Sequence, residues 1–243
     1  MKDLLIVTEI YFLKMNETDL YLPIKKLFED QEFSVKGEVK KCDIVAINED
    51  GLIVIVELKL RFSLALIIQG IERQKISNMV YVAFLMPTGR RGRTVLNNAK
   101  KICRRLKLGL ITVRLQPSEF VKVHLEPSSV SGLRINSKKR SQLLNEHYKL
   151  LGDPNIGGQV GNTIMTAYRQ DAIQVAIAIK GGCKGKPSLL AETLGIPNAR
   201  SILYNNHYDW FVRIERGLYG LSEKGEVDLK KYEQNSVGQD LKR

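Results

Sequence analysis

The hydrophobic and polar positions in the first part of the chain predict a helix followed by a β-hairpin. Apolar residues recur at helical spacing over Glu17–Asp30, which is typical of an amphipathic helix. Two β-rich runs begin at Cys42 and Leu52, and Asn48–Gly51 between them contains an Asp-Gly pair, a strong signal for a hairpin turn. The second run is almost wholly apolar before Glu57, which predicts a central strand that is covered on both faces.

A regular order of helices and strands continues after the hairpin. Ser63 is a suitable N-cap for the next helix, and Pro87 ends the strand that follows it. The further predicted elements are a strand over Phe33–Val39, a helix over Ser63–Asn78, a strand over Met79–Pro87, a glycine-arginine loop over Gly89–Arg93, a helix over Thr94–Lys107 and a strand starting at Gly109. This order predicts an α/β fold with a mixed central β-sheet flanked by helices.

A change in composition separates two predicted domains. Proline, serine, glycine and basic residues predominate from about Pro117 to Asn162, around one short helical stretch at Gln142–Leu151, and we interpret this region as a linker. An apolar helix over Ala167–Lys180 follows it. The predicted organisation is a first domain over residues 1–125, a linker with a short helix over 126–162, and a second domain over 163–243 that ends in a polar tail.

The charge of the chain favours a polyanionic partner. Lys and Arg number 38 against 26 Asp and Glu, which gives a formal net charge of +12. Composition alone fits nucleic acid and an anionic membrane equally well, but no stretch approaches the roughly 20 apolar residues that span a bilayer, so nucleic acid is favoured. Cys42, Cys103 and Cys183 have neither zinc nor disulfide spacing, and no export signal is evident. These features predict a cytoplasmic protein without membrane association.

The predicted hairpin brings charged side chains together. If its turn centres on Asp50, the numbers of opposed residues sum to about 100, and Asp43 lies across from Glu57. Because side chains alternate along a strand, Glu57 and Lys59 share one face while Leu58 points into the opposite layer. Two carboxylates and an ammonium group are therefore expected to converge.

These three groups are the ones that hydrolysis of a phosphodiester requires. The carboxylates of Asp43 and Glu57 are suitable ligands for Mg²⁺ or Mn²⁺, and the Leu58 backbone carbonyl is a further candidate ligand. Lys59 is suited to place or deprotonate the attacking water, and Glu17, early on the first helix, is a candidate outer acid that orients metal-bound water. The alternative interpretation is a salt-bridged polar end to a strand, without catalytic role.

The acids and the lysine resemble the motif of the PD-(D/E)xK nuclease superfamily, with Asp43 as the first acid and Glu57-Leu58-Lys59 as the E-x-K element. Cys42 stands where these proteins usually have proline. More narrowly, the chain resembles a bacterial family of putative PD-(D/E)xK phosphodiesterases through ETDLYLPIK, QGIER, VYVAF, TAYRQDA and NNHYDWF. The resemblance implies a restriction-endonuclease-like core and metal-dependent chemistry. It also implies that a polar residue of the helix after the motif assists at the site, for which Gln69, on the same face as Arg73, is the candidate. A helix face that is only solvated is the alternative for these two residues.

The C-terminal segment resembles a winged helix-turn-helix domain. Ser188–Leu194 is the predicted supporting helix, Asn198–Asn205 the recognition helix, and Trp210–Ile214 with Gly217–Leu221 the wing. The side chains predicted to contact nucleic acid there are Asn198, Arg200, Ser201, Asn205, Arg213 and Arg216. The predicted contacts in the first domain are Arg90, Arg91, Arg93, Lys100, Lys101, Arg104 and Arg105. A winged helix that contacts protein and a charged face that is only solvated are the alternatives.

The leading hypothesis is a nuclease that uses Mg²⁺ or Mn²⁺ to hydrolyse nucleic acid, with DNA favoured over RNA. The competing hypothesis is a non-catalytic winged-helix DNA-binding or regulatory protein whose nuclease fold is a relic. The intact set of Asp43, Glu57 and Lys59 favours the enzyme. A homodimer, the number of metal ions and the specificity for ends, branches or particular sequences are left open.

Overall fold

The computed structural model describes residues 15–159, 161 and 163–240, the stretch 234–240 by its backbone alone. The chain divides into two units, Met1–Ile164 and Met165–Arg243. Each unit has its own hydrophobic core. Within the described ranges, every helix is too short or too polar to cross a membrane.

A six-stranded mixed sheet forms the centre of the first unit. Its strands are β1 (Ser34–Val39), β2 (Cys42–Ile47), β3 (Ile53–Lys59), β4 (Met79–Leu85), β5 (Gly109–Arg114) and β6 (Phe120–Leu125). They lie side by side in chain order; β3, β4 and β5 are parallel, whereas the other neighbours pair antiparallel. The other elements are a 3₁₀ helix (Glu17–Leu20), α1 (Tyr21–Glu29), α2 (Leu64–Gln74), α3 (Gly89–Leu106) and α4 (Ser137–Lys149). The predicted mixed sheet with flanking helices is confirmed.

Helices cover both faces of the sheet because β3 is apolar on both of its sides. Val54 packs in one core with Ile24 of α1. Ile55, the next residue, packs in the opposite core with Leu66 of α2 and Cys103 of α3. Full burial of an aliphatic side chain stabilises the fold by about 1.5–3 kcal/mol, and the charged residues of β3 are confined to its carboxyl end, at Glu57 and Lys59.

The parallel crossover from β3 through α2 to β4 sets the carboxyl ends of both strands at one edge of the sheet. Ser63 accepts a hydrogen bond from the Leu66 backbone N–H at 3.3 Å, so it caps α2 as predicted. The helix ends one residue after Arg73. In parallel sheets, the carboxyl ends of the strands are the usual place for a ligand site.

Three predictions about local structure in the first unit are wrong. Gly89–Arg93, predicted as a loop, forms the start of α3, because Thr88 has the extended backbone of an N-cap and arginine is a good helix former. Strand β6 lies in a segment for which the pattern predicts no strand; its side chains are only partly buried, so their periodicity is weak. Helix α4 begins at Ser137 rather than at Gln142, and the Asn136 side chain accepts a hydrogen bond from its first turn.

The segment that we interpret as a linker contributes to the first unit. Leu143 of α4 and Leu150 after it are buried in the core that α2 and α3 form with the sheet. Lys36 of β1 donates hydrogen bonds to the carbonyl oxygens of His147 and Leu150, at 2.6 and 2.5 Å. Residues up to Ile164 fall within this unit. Contacts between distant parts of the chain therefore hold α4 against β1.

His147 makes the first unit sensitive to acid. Burial and the nearby Lys36 ammonium lower the pKa of His147 to about 4, and its Nε2 lies 3.1 Å from the Ser34 carbonyl oxygen. Because this pKa lies below that of the unfolded chain, the unfolded chain binds the proton first as the pH falls from about 6.5 towards 4. Between pH 7 and pH 5, wild type should lose about 2 kcal/mol more unfolding free energy than His147→Gln in urea titrations. Equal losses would show that His147 does not cause the sensitivity.

Four helices and a two-stranded sheet form the described part of the second unit. They are α5 (Ala167–Lys180), α6 (Pro187–Leu194), α7 (Ala199–Asn205), α8 (Glu223–Asp240), β7 (Phe211–Glu215) and β8 (Leu218–Leu221). Gly195 ends α6 with a φ of +64°, a left-handed conformation that suits glycine and turns the chain into α7. Helix α8 occupies the segment predicted as a polar tail, because Leu229 is buried and Asp228 accepts a hydrogen bond from Trp210 Nε1 at 3.1 Å.

Candidate active site

The hairpin register places Asp43 beside Glu57. Ile44 of β2 pairs with Val56 of β3, and the following pairs keep the same register to the turn. Extending this register by one residue sets Asp43 opposite Glu57. The register predicted from the Asp-Gly turn is therefore confirmed.

Asp43 lies where the ladder between β2 and β3 ends. Its Oδ2 accepts a hydrogen bond from the Leu58 backbone N–H at 2.8 Å, so a side chain continues the contact beyond the last backbone pair. Burial raises the pKa of Asp43, although the Leu58 N–H and the Lys59 charge act in the opposite direction. The hydrogen bond from Leu58 therefore fixes the position of the Asp43 carboxylate, and burial makes its ionised form unfavourable.

Glu57 is fully buried, and Arg73 binds one of its two carboxylate oxygens. Its Oε1 accepts a hydrogen bond from Arg73 Nε at 2.6 Å. Its Oε2 has no hydrogen-bond partner among the residues that the structure describes. Burial and the Asp43 charge raise the pKa of Glu57 to about 7, even though Arg73 lowers it. Arg73 also donates to the Lys41 carbonyl oxygen, so α2 holds this carboxylate beside β2.

Lys59 pairs with the acid that was predicted on the first helix. Its Nζ donates a hydrogen bond to Glu17 Oε2 at 2.7 Å. Burial alone would lower the pKa of Lys59, but the hydrogen bond and charge of Glu17, together with the charge of Asp43, raise it above its ordinary value. Lys59 is therefore an ammonium group at neutral pH. Glu17 acts on the site through this lysine.

Glu38 is a further acid of the site that the sequence pattern does not single out. The register of β1 and β2, in which Gly37 faces Ile44, places Glu38 opposite Asp43. Its φ of +55° is uncommon for a residue other than glycine, and its Oε1 accepts a hydrogen bond from the Gly158 N–H at 2.8 Å. Burial and the Asp43 charge raise the pKa of Glu38 to about 7. Register counting across the turn between β1 and β2 would have identified it.

Two glycines of the segment after α4 line the site. A Cβ on Gly157 would lie 2.4 Å from the Asp43 carbonyl oxygen, and a Cβ on Gly158 would lie 3.0 Å from the Glu17 Cβ. The close approach at Gly157 therefore requires glycine. A pocket of about 470 Å³ opens beside this segment and is lined by Asn16, Glu17, Thr18, Lys59, Leu60, Gly158 and Gln159. The pocket leaves the Lys59 side chain accessible from solvent.

The structure does not join all the predicted residues into one cluster. Over residues 15–159, 161 and 163–240, no group of three or more His, Cys, Asp or Glu side chains is arranged to hold a metal ion. Gln69 lies one turn before Arg73 on α2. Its Oε1 has no hydrogen-bond partner in the described part of the chain, so no contact of that oxygen links it to Asp43 or Glu57.

The predicted nucleic-acid contacts lie on the surface of both units. In the first unit they project from α3, whose buried side consists of Gly92, Ala99 and Cys103. These basic residues are Arg90, Arg91, Arg93, Lys100, Lys101, Arg104 and Arg105, and all but the half-buried Lys100 are exposed. In the second unit, Arg200, Arg213 and Arg216 line one pocket. Asn198, Ser201 and Asn205 are exposed outside the lining of that pocket.

A match to a known family adds evidence that does not depend on this geometry. The family model described as "Putative PD-(D/E)XK phosphodiesterase" matches residues 111–228. Residues 111–228 are therefore similar to that family. The name of this phosphodiesterase family describes a hydrolase, and PD-(D/E)XK proteins generally use a divalent metal ion. No significant match to the chain occurs among curated proteins or among solved structures.

The range matched by the phosphodiesterase family begins in β5 and ends in α8. It therefore follows Asp43, Glu57 and Lys59 in the chain and does not include them. The similarity to the phosphodiesterase family and the arrangement of the three side chains are two separate observations.

Proposed function

We propose that this chain is a divalent-metal-dependent nuclease that hydrolyses phosphodiester bonds of nucleic acid, with DNA as the favoured substrate. The observation that carries the proposal is the buried Glu57 carboxylate, whose Oε2 lacks a partner within the described residues, beside Asp43 and close to Lys59. The family match supports the proposal independently, because it rests on residues 111–228.

The donor set at the end of β3 fits a hard divalent cation. A buried carboxylate oxygen without a donor is costly unless a proton or a cation satisfies it. Asp43 and Glu57 both have raised pKa values, because each is buried and close to other acids. These two carboxylates, with the Leu58 carbonyl oxygen, would hold Mg²⁺ or Mn²⁺. A bound ion of this kind would lower the pKa of water and would neutralise negative charge at the phosphoryl group.

The other polar groups of the site position these donors and the substrate. Lys59, which Glu17 keeps in the ammonium form, is suited to donate a hydrogen bond to a phosphate oxygen. Arg73 orients the Glu57 carboxylate from α2, and the Leu58 N–H orients Asp43. In the reaction, a water oxygen forms a bond to phosphorus and the bond from phosphorus to the leaving oxygen breaks.

The surrounding fold supports binding of nucleic acid to both units. The β2–β3 hairpin followed by the α2–β4 crossover supports a restriction-endonuclease-like core. Helices α6 and α7 with the β7–β8 hairpin support a winged helix-turn-helix in the second unit. The basic residues of α3 are suited to neutralise backbone phosphates without reading the sequence.

The purified full chain tests this function directly. It is incubated with labelled single- and double-stranded DNA and RNA in Mg²⁺, in Mn²⁺ and in EDTA. We expect cleavage of DNA with either metal ion and no cleavage in EDTA. Folded wild-type protein that cleaves none of these substrates under any condition would contradict the proposal.

A non-catalytic nucleic-acid-binding protein is the second candidate, and the ion pair between Arg73 and Glu57 is the observation that favours it. This ion pair occupies one oxygen of Glu57, and the arginine neutralises the carboxylate charge that would attract a metal cation. Binding of DNA without cleavage, combined with a melting temperature that does not respond to Mn²⁺, would support this candidate.

Asp43→Asn is expected to stabilise the protein in the absence of metal. Because the folded state raises the pKa of Asp43, its ionisation at pH 8 costs free energy that a neutral amide does not cost. An amide oxygen can still accept the Leu58 N–H. In EDTA we expect a gain of about 1 kcal/mol, which raises the Tm by about 2–4 °C in scanning fluorimetry.

Mn²⁺ should separate this variant from wild type. A cation that binds only the folded state raises the Tm of wild type, whereas the loss of one carboxylate removes most of that increase from Asp43→Asn. Glu49→Gln removes an exposed acid from the hairpin turn and is the matched control, with a response equal to that of wild type. An equal response of Asp43→Asn would rule out Asp43 as a metal ligand.

A further inference from the structure

A basic pocket in the second unit lies outside the proposed active site. It has a volume of about 520 Å³, and four of its lining side chains are cationic. Lys186 is the N-cap residue of α6, and Arg200 is the second residue of α7. Arg213 belongs to β7, and Arg216 to the turn that leads into β8. Three separate parts of the fold thus direct cations to one place, and no acidic side chain lines the pocket.

A close contact of the backbone shapes this pocket. The Tyr219 N–H donates a hydrogen bond to the Gly185 carbonyl oxygen at 2.9 Å. A Cβ on Gly185 would lie only 1.8 Å from the Tyr219 carbonyl oxygen, so this approach requires glycine. The contact fastens the segment before α6 to β8. It thereby holds Lys186 beside the hairpin that carries the two arginines.

The four cations have no acidic partner among the residues whose side chains the structure describes. Arg213 Nε donates to the Glu215 carbonyl oxygen at 3.3 Å, which leaves its terminal nitrogens available. Other cations of the same unit are paired: Lys180 contacts Glu233 at 2.8 Å. A concentration of unpaired like charge is unfavourable by itself and is relieved by a bound anion.

The rim of the pocket carries an aromatic ring, which indicates the kind of anion. Tyr204 lines the pocket and is 78 % exposed. A free inorganic anion makes no use of such a ring, whereas the sugar or base next to a backbone phosphate packs against it. Ser188, at the other side, adds a neutral donor to the cations.

We propose that this pocket binds one backbone phosphate of nucleic acid, which Lys186, Arg200 and Arg216 neutralise while Tyr204 packs against the adjoining sugar. The choice of nucleic acid as the ligand of this pocket rests on the proposed function. It requires neither a metal ion nor the carboxylates of the first unit. Binding and cleavage are therefore measured separately.

Fluorescence anisotropy with a short labelled duplex DNA, titrated with the full chain in EDTA over a range of NaCl concentrations, tests the assignment. We expect Arg200→Ala and Arg216→Ala each to weaken binding about tenfold and to lower the slope of log affinity against log salt by about 1. Lys230→Ala, which removes an exposed cation of α8 outside the pocket, is the matched control and should change the affinity by less than about twofold. Tyr204→Ala should weaken binding without changing the salt slope, because it removes no charge.

Pocket variants that bind DNA as Lys230→Ala does would overturn the assignment. Inorganic phosphate distinguishes a backbone phosphate from a free anion: displacement of DNA by phosphate at a concentration comparable to that of the DNA would also overturn it. Displacement only by a large excess of phosphate supports it. If the nuclease proposal alone fails, wild type cleaves no DNA, but the pocket variants still bind DNA more weakly than wild type does.

Discussion

Lys59→Ala is expected to lower the rate of DNA cleavage by about 10²–10⁴-fold without unfolding the protein. Lys59 lies at the last position of β3, and its ammonium group is held 2.7 Å from Glu17 Oε2 beside an open pocket. The side chain is partly exposed, so its truncation removes a charge and little packing. Single-turnover cleavage of labelled DNA measures the rate, and circular dichroism verifies the fold.

Two further variants separate a catalytic lysine from a structural one. Lys26→Ala removes an exposed lysine of α1 and should leave the rate within about twofold of wild type. Glu17→Gln keeps the lysine but removes its anion, so we expect a loss of about tenfold. Because Glu17 raises the pKa of Lys59, the alkaline limb of the pH–rate profile should also move to lower pH. Unchanged cleavage by Lys59→Ala would place the chemistry elsewhere.

Arg73→Met is expected to lower the free energy of unfolding by about 3 kcal/mol at pH 8. Arg73 Nε is the hydrogen-bond donor to Oε1 of Glu57, whose other oxygen has no partner in the described structure. Without the arginine, the fully buried carboxylate keeps the repulsion of Asp43 and loses its compensating charge. Urea denaturation of the metal-free protein measures the loss.

The dependence of this loss on pH identifies Glu57 as its cause. Arg73 lowers the pKa of Glu57, so its removal raises a value that already lies at about 7. A raised folded pKa means that stability declines as the pH rises, so the loss should be smaller at pH 6, where the carboxyl binds a proton. Adding Glu57→Gln to Arg73→Met should recover most of the loss at pH 8. The same loss at both pH values, or no recovery in the double variant, would contradict this explanation.

Local sequence patterns predict the hairpin of the site and the elements of the second unit well. The Asp-Gly turn and the alternation of side chains suffice to place Asp43 opposite Glu57, because the turn fixes which residues of β2 and β3 face each other. Helices α5, α6 and α7 and the β7–β8 hairpin lie within one residue of their predicted bounds. These elements have strong apolar periodicity or clear turn residues, so residues that are close in sequence determine whether each element is a helix or a strand.

Local sequence patterns do not predict contacts between residues that are distant in the chain. The bond from the Gly158 N–H to Glu38 joins residues 120 positions apart, and that from Lys36 to His147 joins residues 111 positions apart. Neither α4 nor the segment after it has a strong periodic pattern, because much of its surface faces solvent. The sequence therefore indicates a linker where the structure has buried side chains.

The amino-acid sequence by itself determined that two acids and a lysine meet at the end of a buried strand, because the period of a β-strand and the geometry of a tight turn allow one register. The tertiary structure decided what surrounds them: Arg73 lies beside Glu57, Glu38 lies beside Asp43, and two glycines of the segment after α4 pack against Asp43 and Glu17. These neighbours come from separate elements. Their positions follow from packing of the whole unit, which no local pattern encodes.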